Sequence, residues 1–475
     1  MTRYQPSAKK DHALPSARKG QILARQGLGI SILAFLLTGC GERPADLSDM
    51  AQEVSDTLTE TTMPDAEANI APVDIAMGFG PALKSAVEAN DAYRALLALE
   101  TAAVERIGVA SSVRHPQITA NANVGALRET GGIADDTTTG IAGGLTISQL
   151  VYDGGTSRAE VNGATAEALA ARAERVAQGN ALALEAARAW IDAWQFDARL
   201  RLLHSRTDEM NRLMAQIERM ASNGMIDRGA LESARRQIID IALEQTRLEA
   251  DLNEARVRYA RFFNRPVGQL ARPADLVSST EVRKAAKDWQ QSPQLQRAAA
   301  ELLVSQAALA KATSAFRPSA RLQAGVTSPM EQEESTDLSV GLVLEYTFSD
   351  GGRRRSELDS AQARHAAAEA QLSDAQRALN AEIEASLDQL DAIEKSMPLV
   401  ARQITLSASE AKTARSQIAT GQANLRQLVE AEIENYRARD RHIALQAERQ
   451  ILLMTIESRT GRLAQRIGLS IGPVR

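Results

Sequence analysis

One cysteine in 475 residues, Cys40, excludes an internal disulfide framework and any zinc site built from several thiolates. Aromatic residues make up 3%, too few for a large β-barrel with aromatic girdles. A net charge of −5 gives no basic excess to steer the chain toward nucleic acid. His12, His115, His204, His365 and His442 are scattered without metal-ligand spacing. The glycine pairs Gly154-Gly155 and Gly351-Gly352 lack the Gly-x-Gly-x-x-Gly or lysine pattern of a phosphate loop, so no nucleotide-driven energy source is visible. No carboxylate pair and no Ser-His or Cys-His set has a supporting context, which argues against an enzyme and implies no cofactor. What remains is 44% hydrophobic and 24% charged, with Ala-rich runs from residue 159 to 455, the composition of long packed helices. The length is about three times that of a common single domain, so the chain forms several parts or one elongated object.

The N-terminus reads as a targeting segment. Arg3, Lys9, Lys10, Arg18, Lys19 and Arg25 stand against Asp11 alone, and the apolar run from Leu28 to Leu37 is too short for a membrane anchor. It ends in Leu37-Thr38-Gly39-Cys40, which resembles the bacterial lipobox, where cleavage leaves the cysteine N-terminal and acylated. Loss of residues 1–39 removes six basic and one acidic residue and leaves a mature balance of −10. Residues 41–80, with Pro44, Pro64, Pro72 and Gly80, lack sustained periodicity and read as a tether to the lipid.

An internal duplication organises the rest. Arg114-His115-Pro116-Gln117 answers to Phe316-Arg317-Pro318-Ser319, and Asn90 to Ser292, both at an offset of 202; Tyr152-Asp153-Gly154-Gly155 answers to Ser349-Asp350-Gly351-Gly352, and Ser222 to Ala419, both at 197. Each copy begins with a helix, expected over Pro81–Arg114 and Ser292–Phe316. Two alternating segments follow around a polar loop. In the second copy Leu338, Val340, Leu342, Leu344, Tyr346 and Phe348 alternate with Ser339, Gly341, Val343, Glu345, Thr347 and Ser349; in the first, Ile118, Ala120, Ala122 and Val124 alternate with Thr119, Asn121 and Asn123. That period of two predicts strands with one apolar and one polar face, long enough to cross a bilayer. After Asp153-Gly154-Gly155 and Asp350-Gly351-Gly352, where glycine permits a sharp strand exit and aspartate can cap, a helix runs to Gly224 or Gly421, in each case 70 residues past the first glycine. No proline interrupts the first; Pro398 predicts a bend in the second. Returning helices are expected over Gly229–Phe263 and from Leu425 to about Leu463. In the former, Leu231, Ala234, Ile238, Ile241, Leu248, Leu252, Ala255, Tyr259 and Phe262 trace a 3.5-residue seam broken at Gln245, and in the latter Asn435 and His442 weaken it. Entering and returning helices sum to the length of the long one and are expected to stack end to end beside it.

Four strands cannot close a barrel with a lumen, and open strand edges are not tolerated in lipid, so several chains must contribute. The expected fold is mainly α with a small β part: duplicated long antiparallel helical hairpins building an α-barrel, and two β-hairpins supplying four strands to a shared membrane β-barrel. The duplicated order of helix, proline, hairpin, Asp-Gly-Gly, long helix, glycine tip and returning helix, over about residues 80–465, resembles the TolC-like outer-membrane efflux protein family. The resemblance implies a homotrimer with twelve strands, placed in the outer membrane and reaching into the periplasm. It implies partners as well, a periplasmic adaptor and an inner-membrane transporter. Lipidated members are common there, in keeping with Cys40. The chain divides into signal peptide (1–39), lipid-anchored tether (40–80), first repeat (81–265), inter-repeat connection (266–291), second repeat (292–465) and C-terminal tail (466–475).

By the same resemblance, the periplasmic tips carry adaptor contacts and closure; here they are Asn223, Gly224 and Met225 in one copy and Thr420, Gly421 and Gln422 in the other. The acidic constriction of such channels falls on Gln427 and Glu430, of which only Glu430 keeps a carboxylate. Arg353, Arg354 and Arg355 form the tight basic run outside the signal and read as a headgroup-facing collar. The competing expectation is an acylated coiled-coil spacer or adaptor lipoprotein without a channel.

Overall fold

Helix α1 (Phe79–Glu88) turns Phe79, Ala82, Leu83, Ala86 and Val87 to one buried face, the three- and four-residue spacing of an amphipathic helix. A second helix, α2 (Asp91–Ser112), follows a break at Ala89 and Asn90. The Asn90 side chain accepts from the Ala92 N–H and caps α2. The entering helix of the first copy is therefore two helices and not the single one expected over Pro81–Arg114, because Asn90 offers the backbone a start signal that a continuous helix would leave unused. In order follow β1 (Gln117–Glu129), β2 (Asp136–Tyr152), the 67-residue α3 (Thr156–Ser222), α4 (Arg228–Phe263), α5 (Ser279–Lys287), a 3-10 turn (Trp289–Gln291), α6 (Pro293–Ser314), β3 (Ser319–Ser328), β4 (Asp337–Glu345), the 67-residue α7 (Arg353–Ala419), α8 (Leu425–Arg459) and α9 (Arg462–Arg466). The computed structural model describes residues 72–76, 78–129, 136–222, 228–268, 270–328, 336–419 and 425–469, with a few positions between 52 and 57. Cys40 and the tip residues Asn223, Gly224, Met225, Thr420, Gly421 and Gln422 lie outside the described residues.

Two long helices of equal length, each about 100 Å at 1.5 Å per residue, set the long dimension. α7 continues through Pro398 without interruption, although proline has no N–H for the Glu394 carbonyl. The α4 seam is as patterned: Ala234, Ile241, Leu248, Leu252, Ala255, Tyr259 and Phe262 are buried. The inter-repeat connection holds a helix that the sequence reading left out. α5 starts in a capping box, with the Ser278 hydroxyl facing the Glu281 N–H and the Glu281 carboxylate accepting from the Ser278 N–H. It buries Val282 and Ala286 against Leu390 of α7 and Ile456 of α8.

A core rich in aromatic side chains lies midway along α3. Trp190 of α3 meets Phe79, Tyr259 and Phe263 edge-on at 5.4–5.7 Å, and Tyr259 stacks on Phe263 at 4.4 Å. Val73 is buried there, and its N–H donates to the Phe263 carbonyl, which fixes where the incoming chain joins the helices. Elsewhere the helices form one layer. On the sheet side the lateral order is α2, α3, α6, α7; on the tip side it is α4, α3, α8, α7. Alanines at 183, 186, 187, 189 and 193 of α3 are buried, the small residues that close lateral packing needs.

A candidate channel-forming surface

The four strands pair antiparallel in the order β1-β2-β3-β4. Their register assigns the faces, since directly opposed residues point the same way. Ile118 faces Ile147, Ala120 faces Leu145, and Val124 faces Ile141. Leu145 in turn faces Val326, which faces Leu338; Ala324 faces Val340 and Leu322 faces Leu342. Over its middle one face is thus apolar across all four strands and exposed to the surroundings, with Val124, Leu338 and Val340 each more than 70% accessible. The other carries Gln117, Thr119, Asn121, Asn123, Thr146, Ser148, Arg321, Gln323, Thr327, Ser339 and Glu345. Such a sheet fits lipid on one side and water on the other.

Among the described residues neither outer strand has a partner on its far side, and the helical layer repeats the pattern. α2 and α4 bound it on the β1 side, and α7 bounds it on the β4 side. These margins expose apolar side chains: Leu99 and Val109 on α2, Ile239, Leu243 and Val257 on α4, Leu399 and Leu406 on α7. A strand edge left open in hydrocarbon costs several kcal/mol per unpaired group. The arrangement is that of one stave whose two margins need neighbours.

Each hairpin hands over to its long helix through an Asp-Gly-Gly turn. Gly154 and Gly155 have φ of 69° and 103°, Gly351 and Gly352 of 67° and 91°, the left-handed region that favours glycine. The Asp153 carboxylate accepts from the N–H groups of Gly155 (3.0 Å) and Ser157 (2.6 Å); Asp350 accepts from those of Gly352 (3.2 Å) and Arg354 (3.1 Å) and from Arg354 Nε (2.7 Å). Burial opposes ionisation of Asp153, but the Ser157 and Gly155 donors and the Arg114 charge outweigh it and hold its carboxyl below the usual range. The Arg354 hydrogen bond and charge do the same for Asp350.

Two arginines brace these turns, a role the sequence did not suggest for either. Arg317 donates to the Gly154 carbonyl at 2.8 Å. Arg354 donates to the carbonyls of Thr347 (2.6 Å) and Ala315 (3.2 Å) and lies over the Phe316 ring. Arg354 is buried, which corrects the expectation of three collar arginines facing headgroups: the middle one is turned inward by the carbonyls at the strand exit, while Arg353 and Arg355 are exposed and pair with Glu357 and Asp359.

Of the two expected constriction residues, Gln427 and Glu430 both lie exposed near the start of α8, and Glu430 accepts from Arg426 Nε at 2.8 Å. Farther from the tips, a polar strap crosses three helices. Tyr436 of α8 donates to Glu244 of α4 at 2.9 Å, Arg206 of α3 pairs with Glu244 at 3.3 Å, and the Arg206 guanidinium lies 4.3 Å from the Tyr436 ring centroid. Burial and the Glu244 carboxylate push the Tyr436 hydroxyl above its ordinary value, which keeps it a donor. No sequence spacing announces this strap, because its members come from three separate helices. Among the described residues no group of His, Cys, Asp and Glu could hold a metal ion, and no helix is long and apolar enough to cross a membrane.

The sequence profile of the outer membrane efflux protein family matches residues 82–263 and 288–462. The chain belongs to that family. Its efflux-channel architecture recurs in solved structures: a membrane protein from Pseudomonas aeruginosa (19% identity, TM-score 0.71, 82% of this chain and 91% of that one), the outer membrane protein VceC from Vibrio cholerae (17%, 0.70, 80% and 95%) and the open state of the MtrE outer membrane channel of Neisseria gonorrhoeae (17%, 0.68, 83% and 91%). At these identities the shared property is the fold. No curated protein sequence matches the chain. Each of the two matched segments contains one hairpin, one Asp-Gly-Gly turn and one long helix, so the family match follows the two copies.

Proposed function

We propose that the chain is the outer-membrane exit duct of a tripartite efflux or type I secretion system, a homotrimer that passively conducts substrates received from a periplasmic adaptor and an inner-membrane transporter. The observation that carries this reading is the coincidence of open margins. The β1, α2 and α4 margin lies on one side of the protomer and the β4 and α7 margin on the other, so a ring of copies closes sheet and helices together. In that ring the apolar sheet face meets lipid and the polar face lines water. The tips at Asn223-Gly224-Met225 and Thr420-Gly421-Gln422 dock the adaptor, Cys40 carries the acyl anchor, and Glu430, repeated around the axis, sits at the tip-side mouth with Arg426 moderating its charge.

Purified full-length protein should run as a trimer and conduct ions in planar bilayers. Monomers without conductance would refute the duct. Tags placed in residues 129–139 should be reached by protease from outside intact cells; tags reached only from the periplasm would favour the acylated spacer. Crosslinkers at positions 223 and 420 should recover the adaptor, and labelled palmitate should be incorporated unless Cys40 is replaced by Ala.

A further inference from the structure

Among strand residues whose side chains are described, only Arg321, Asp337 and Glu345 are charged. The register puts all three on the polar face. Arg321 stands opposite Leu150 and Val343, Asp337 opposite Thr327, and Glu345 opposite Ser319. Each is exposed, and none has an ion pair among the described residues. Glu345 and Arg321 lie one face step apart, about 7 Å, near the helix end of the sheet, whereas Asp337 lies eight residues from Glu345, about 27 Å away along β4. Leu150 and Val343 flank Arg321 on this face, so its aliphatic stem has apolar neighbours while its guanidinium reaches into water.

We propose that this pair forms a charge filter in the wall of the membrane pore: Arg321 and Glu345, repeated in each subunit, set its ion selectivity from opposite signs, apart from any constriction at the tips. The proposal rests on the channel reading. In a ring, β4 would lie against β1 of the next copy, whose polar face at the helix end offers the uncharged Gln117 and Thr119, while Glu129 of that face lies at the opposite end of the strand. A basic ring and an acidic ring then lie at adjacent levels of a water-filled lumen walled by protein and lipid, where a fixed charge focuses its field on a passing ion.

The test is the reversal potential of full-length protein in planar bilayers under a KCl gradient. Glu345→Gln should lower the cation-to-anion permeability ratio and Arg321→Gln should raise it, each by roughly twofold or more at low salt, and Arg321→Lys should keep the parent value. Both shifts should shrink toward 1 M salt, where the screening length is about 3 Å. Ser319→Cys, a near-isosteric change directly opposite Glu345, supplies a measurement made after insertion: a cationic thiol reagent should lower the ratio and an anionic one raise it. Absence of any wild-type conductance would overturn the duct and the filter together. Normal conductance with a ratio indifferent to all these changes, or one that responds to Glu430→Gln alone, would overturn the filter and leave the duct standing.

Discussion

The two Asp-Gly-Gly turns have the same sequence and nearly the same φ values, yet they do not tolerate change equally. A Cβ on Gly154 would lie 2.5 Å from Cβ of Arg317 and 3.1 Å from the Ser314 carbonyl, whereas one on Gly351 meets nothing within 4 Å. Gly351→Ala should therefore cost only the left-handed backbone penalty, about 1–2 kcal/mol. Gly154→Ala should cost more, because the clash is with backbone-proximal atoms that cannot swing away; comparing urea midpoints of the two variants checks the order. The aspartates give a pH prediction. Their folded values are depressed, so the stability they contribute is complete above the ordinary value of 3.8 and is lost as pH falls through the lower folded values. Acid should loosen both turns below that pH, and Asp153→Asn with Asp350→Asn should flatten that part of the pH dependence of melting. The turns were legible in the sequence because glycine pairs after an alternating run have one physical use. The bracing by Arg317 and Arg354 was not, since apart from the Arg354–Asp350 pair its acceptors are the backbone carbonyls of Gly154, Ala315 and Thr347, which leave no trace in residue type.

At the scale of elements, the helices show which signals a sequence carries. α4 was readable from its 3.5-residue seam because each seam position independently prefers an apolar residue. The break at Asn90 carries an equally local signal, but the expectation of matching helix lengths overrode it; the α5 capping box at Ser278 and Glu281 is as local and went unread within the inter-repeat connection. The joint between α2 and α3 lies beyond local signals altogether. Arg175 and Glu100 are each at least 97% buried in an Ala-rich interface, paired with one another through Arg175 Nε, and Arg175 also donates to the Tyr93 hydroxyl at 3.2 Å. Burial works against the charge, but Glu100 and Tyr93 hold the guanidinium ionised. Glu100→Ala should destabilise by about 3–5 kcal/mol, because it strands a buried cation. Glu100→Leu combined with Arg175→Leu should recover most of that loss, read as the melting temperature of the double variant against the single one; a double variant as unstable as the single would mean that the pair's role is positional.

For the whole molecule, the alternation in β4 was visible from sequence, but which strands sit at the margins follows only from the register and from the lateral order of the helices. That distinction sets the sharpest expectation for assembly. Val340 and Ser339 are adjacent in β4 and point to opposite faces. Val340→Arg would put a guanidinium on the apolar face, at a cost of about 2–4 kcal/mol near the bilayer midplane, paid once per subunit. Ser339→Arg would put the same group on the polar face, where water solvates it. Both substitutions add one charge and equal bulk at the same level of the same strand, so differences in helix packing, tip contacts and expression should largely cancel. The expected outcome is loss of membrane-inserted oligomer for Val340→Arg and retention for Ser339→Arg, followed by extraction of outer membranes and heat-dependent gel migration. Equal tolerance would place both faces in water and remove the physical need for neighbouring copies. Equal loss would indicate that the strand is crowded on both sides, as in a packed sandwich and not a barrel wall.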